Sequence, residues 1–73
     1  MAYPCKLELE EYRKVIEKLW EAGINPRRAS SIIRSLERVG KLSDDVFKLF
    51  IEYRRKRREL FRCLSRYYAR TSV

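Results

Sequence analysis

The chain has 73 residues, of which 45% are apolar and 38% charged, with a formal net charge of +8 and no histidine. That length holds a single small domain, residues 1–73, whose core is marginal against chain entropy. No apolar run approaches the ~20 residues needed to cross a bilayer, and no signal-peptide pattern opens the chain.

Residues 1–6 read as an extended lead, because Pro4 biases Tyr3 away from helix. From about Leu7, Leu9, Tyr12, Val15, Ile16, Leu19 and Trp20 recur at helical spacing and predict a first amphipathic helix over about 7–22. Glu8, Glu10 and Glu11 sit in its first turn, where the helix dipole favours acids, and Gly23 is placed to end it in a left-handed conformation. Asn25-Pro26 supplies an N-cap and a first-turn proline for a second helix, over about 26–39. Ala29, Ile32, Ile33, Leu36 and Val39 form its apolar stripe, and Gly40 closes it.

Ser43 caps a third helix, Asp44 and Asp45 complement its dipole, and Leu42 is placed to staple against Phe47. Nothing interrupts this helix over about 44–70, leaving 71–73 as a tail. Its first half is apolar around more than half its circumference, with Phe47 and Ile51 opposite the main stripe, which predicts burial there. Helices one and two are expected to cover this first half and to stop short of its end. Leu60, Phe61, Leu64, Tyr67 and Tyr68 then need another cover, and a second copy of the chain is the expected one. Arg57 falls near the middle of this apolar face and marks a boundary between core and intermolecular contact. The fold class expected is all-α, with three helices and a long basic C-terminal one.

Charge is uneven along the chain. Residues 1–25 hold four basic and five acidic side chains, 26–52 six and four, and 53–73 eight and one. In the last segment Arg54, Arg58, Arg62, Arg66 and Arg70 follow one another at i, i+4, a ladder rising ~6 Å per step. Arg55 adds to it. Arginine suits phosphate, since its planar fork bonds bidentately and stays charged at any working pH. The ladder predicts nucleic-acid binding by phosphate neutralisation, DNA before RNA, with position rather than sequence as the thing held. Tyr67 and Tyr68 suit either an interface or, less readily, stacking on single-strand bases.

The segment LWEAGINPRRASSIIRSLERVG, 19–40, resembles a helix-turn-helix. Its second part, Ala29 to Gly40, is similar to the recognition helix of MarR-like winged-helix regulators, which often end in a Leu-Glu-basic-X-Gly pattern. The resemblance implies that Arg27, Arg28, Ser30, Ser31 and Arg34 face the major groove, with the helix N-terminus near phosphate. After Gly40 the chain departs from that family, because Ser43 starts a helix where a two-stranded wing would follow.

Catalysis has little to stand on: no histidine, no nucleophile beside a base and no phosphate-binding glycine loop. No cofactor, metal site, small-molecule substrate or membrane partner is expected. Cys5 and Cys63 are either paired or free, and two buried thiols are the preferred reading. The absence of Gln and His, with Asn25 the one Asn, resembles hyperthermophile composition. An intracellular protein, cytoplasmic or nucleoid-associated, or a component of a virus of a thermophilic host, fits that pattern. Two versions of the function follow: a small helix-turn-helix DNA binder, or an oligomeric nucleoprotein that coats or packs a genome. A helical structural or adaptor subunit facing an acidic protein is the alternative.

Overall fold

The computed structural model describes residues 4–71, and side chains from Pro4 to Tyr68. It is all-α: α1 spans Lys6–Glu21, a single 3-10 turn Pro26–Arg28 leads into α2 at Ala29–Arg38, and α3 runs Asp44–Thr71. The expected lead is shorter than six residues, since Lys6 already belongs to α1; residues 1–3 and 72–73 lie outside the described residues. Among the described residues no helix is long and apolar enough to cross a membrane.

The helix ends follow from local chemistry. At the end of α1, Ile24 N–H donates to the Leu19 carbonyl at 2.8 Å and Gly23 N–H to that of Trp20 at 3.0 Å. The end of α2 repeats the pattern, Lys41 N–H donating to Leu36 at 2.9 Å and Gly40 N–H to Glu37 at 3.1 Å. Both are Schellman closures, which need a left-handed residue, and Gly23 and Gly40 supply φ of 78° and 70°. Asn25 Oδ1 accepts from Arg27 N–H at 3.0 Å, and Ser43 Oγ accepts from Val46 N–H at 3.2 Å. These caps satisfy backbone donors that have no partner within the helix. Leu42 packs on the core, whereas Phe47, its expected staple partner, is 47% exposed.

The core gathers Val15 and Leu19 of α1, Ile24 of the turn, Ala29 and Ile33 of α2, and Phe50 and Tyr53 of α3. Three links fix the register between the outer helices: Cys5 with Cys63, Glu11 with Lys56, and Tyr12 with Tyr53. As the first number rises the second falls, so α1 lies antiparallel to α3 and reaches Cys63. α1 therefore covers α3 beyond the first half that the first two helices are expected to cover, as far as Cys63. Leu60, expected at an intermolecular face, is 5% exposed and belongs to the interior of the monomer. The cysteines form a disulfide with Cα atoms 6.0 Å apart, in place of the two free thiols expected. Trp20, Val39, Phe47 and Ile51 are not buried as the stripes predicted; each stands largely exposed. α2 is only ten residues long and packs on α3 through Ala29 and Ile33.

Candidate nucleic-acid interface

The 3-10 turn is anchored to α3 by Tyr53, whose hydroxyl donates to the Pro26 carbonyl at 3.4 Å. Arg27 is the next residue of that turn, and α2 follows it directly. Between α2 and α3 lies a groove of about 750 Å³. Arg27 and Arg34 stand on the α2 side and Arg54 and Arg57 on the α3 side, with Glu37 the one carboxylate in the lining. Its floor is aromatic: the Tyr12 and Tyr53 rings stack with centroids 6.0 Å apart, and Phe50 and Tyr53 at 6.4 Å. Burial raises the Tyr12 phenol above its ordinary range, and a hydrogen bond with Tyr53 adds to the shift, so Tyr12 stays neutral at physiological pH.

Two of the arginines are held by rings. The Arg54 guanidinium carbon lies 5.9 Å from the Phe50 centroid, and that of Arg57 lies 5.2 Å from Phe61. Both distances are within cation–π reach. Along α3 the groove continues into a shallower depression lined by Arg58, Arg62 and Ser65 as well as Arg54, Arg57 and Phe61. Among the described residues the ion pairs belong to Lys56, which meets Glu11 at 2.8 Å and Glu59 at 3.7 Å. None of the six arginines along the groove is neutralised by a carboxylate, so their charge is directed at solvent or a ligand.

The residues expected to bind nucleic acid therefore divide. Arg27, Arg34 and Arg54 meet in the groove, and Arg58 and Arg62 extend it. Arg55 and Arg66 are exposed on α3 but line neither depression, and the side chain of Arg70 lies outside the described residues. A four-residue step turns a helix by ~40° beyond a full circle, so the ladder winds around α3 instead of running straight. Arg28 and Ser31 sit on the other side of α2 beside Ile32, Leu36 and Val39. The five residues that the helix-turn-helix resemblance would send to one groove thus occupy two faces.

Arg57 is the groove residue that the ladder pattern missed. An arginine inside an otherwise apolar stripe was the available signal. Helical periodicity groups Phe61 with Leu60 and Leu64 at an expected oligomer contact. One residue of separation is ~100° of rotation, which carries Phe61 out of the core and into the groove wall, where it is 50% exposed. Leu64 is half-buried, and Tyr67 and Tyr68 are exposed with ring centroids 5.6 Å apart, edge to face. The sulfurs of Cys5 and Cys63 lie within 4.8 Å of a Glu8 carboxylate oxygen, but bonded to each other they are not the thiolates a metal site requires. No protein-family model matches the chain, and no curated protein or solved structure matches it either.

Proposed function

We propose that the chain binds nucleic acid by neutralising phosphates along the α2–α3 groove and its continuation on α3. The observation that carries this reading is the set of six arginines there, opposed by one lining carboxylate and by no ion pair among the described residues. An ordinary surface mixes signs and pairs them; leaving this many guanidiniums unpaired creates a positive field that favours a polyanion. The placement of Arg27 and Arg34 opposite Arg54 supports a phosphate-gripping cleft more than base reading by α2 alone. Of the two versions, a nucleoprotein acting in several copies fits better than a helix-turn-helix regulator. Leu64, Tyr67 and Tyr68 are the residues through which copies would meet. No step of chemistry is proposed for the chain.

The experiment is fluorescence anisotropy of a labelled mixed-sequence nucleic acid over a salt series. With about five phosphates neutralised, log K falls against log salt with a slope of about −4 to −5 on duplex DNA. The charge reversals Arg54→Glu, Arg58→Glu and Arg62→Glu together abolish binding while the helical content stays unchanged. Absence of binding at low salt removes the reading. The second reading, a helical structural or adaptor subunit whose basic face docks an acidic protein, draws on the same arginines, Arg54, Arg58 and Arg62 among them. It gains if the same reversals break up an assembly and leave any nucleic-acid affinity untouched.

A further inference from the structure

Resting on the nucleic-acid reading above, we propose that the α2–α3 groove takes a single strand in preference to a duplex. One unpaired base lies on the wall made by Phe61 and Arg57, and its flanking phosphates are held by Arg27, Arg34 and Arg54.

Three features of the groove point the same way. The first is its concavity. At about 750 Å³ it falls among clefts that enclose a small ligand, ~300–1,000 Å³. Such a space admits a nucleotide segment. The second is that charge faces inward from both sides, Arg27 and Arg34 from α2 and Arg54 and Arg57 from α3. A strand that enters the groove meets both walls and the aromatic floor between them, which a duplex resting on the rims does not reach. The third is the aromatic wall. Phe61 is half exposed, with the Arg57 guanidinium over its ring at 5.2 Å. In a duplex the faces of the bases are already stacked on one another and only their edges are accessible. A free face exists only on an unpaired base, and stacking on an aromatic ring accepts any of the four. Cation and ring are arranged so that a base replaces the guanidinium on Phe61, or stacks beside it, while the arginine turns to phosphate.

The test compares a short labelled single strand with the duplex of the same sequence, at one salt concentration, for wild type, Phe61→Leu and Phe61→Trp. Leucine keeps apolar bulk on a half-exposed helical position and removes the π-face; tryptophan keeps the face. The expected result is tighter binding of the single strand by wild type, a loss of roughly fivefold to a hundredfold for Phe61→Leu on the single strand alone, and recovery in Phe61→Trp. Duplex binding as tight as single-strand binding overturns the proposal and leaves phosphate-driven binding standing. An equal effect of Phe61→Leu on both substrates, or none on either, also overturns it. Failure of both nucleic acids to bind removes the parent reading, and this proposal with it.

Discussion

Residue by residue, the chain places charge according to what surrounds it. Among the described residues, Lys56 is the basic side chain of α3 that is paired, and it is also the half-buried one. Its hydrogen bond to Glu11 holds that carboxyl below its usual range, with the attraction of the same ammonium next in size, and the bond raises the lysine in turn. The sign of the pH effect follows from linkage. A carboxyl with a lowered folded pKa stabilises the fold above its unfolded value of 4.5 and stops doing so as pH falls through the folded value. The lysine stabilises below 10.5 and ceases to as pH rises through its raised value. Urea midpoints of wild type and Glu11→Gln should therefore differ at neutral pH and converge in acid. This pair was not readable from sequence, because it joins residues 45 apart and depends on the register of two helices. The arginines were readable, since their number and spacing are local facts. Which face is covered was not: Arg57 and Phe61 are neighbours by their four-residue spacing alone, but that Leu60 lies in the interior and Phe61 outside it depends on where α1 lies.

At the level of the helices, the sequence was most legible where a single turn decides the outcome. Gly23, Asn25, Gly40 and Ser43 each act on backbone groups within five residues, and each does what its chemistry requires. Ser43→Ala removes the acceptor for Val46 N–H and should cost about 1 kcal/mol in chemical denaturation, with α3 fraying at its first turn. The periodic apolar stripes were less dependable. They located the helices but overstated burial at Trp20, Val39, Phe47 and Ile51, because periodicity marks a face without saying whether a neighbour covers it. The 3-10 turn at Pro26–Arg28 was also unforeseen. Proline at the first position suits either kind of helix, and the Tyr53 hydroxyl on the Pro26 carbonyl is a tertiary bond.

For the molecule as a whole, the decisive element is the link between Cys5 and Cys63, 58 residues apart. Chains of this size seldom hold together on apolar burial alone. Closing so long a loop removes denatured-state entropy worth ~4 kcal/mol in the chain-entropy model. Reduction under native conditions should lower the thermal midpoint by roughly 15–30 °C, as measured by circular dichroism with and without a thiol reductant, and Cys5→Ser should reproduce the loss. The same link has a mechanical consequence. Tension transmitted along the backbone from beyond Cys5 to beyond Cys63 passes through the sulfurs and skips all that lies between. α1, both turns, α2 and most of α3 then carry no load, and stretching extends only the chain outside the link. A molecule pulled by its two chain ends would keep its groove intact until the sulfur–sulfur bond was cut.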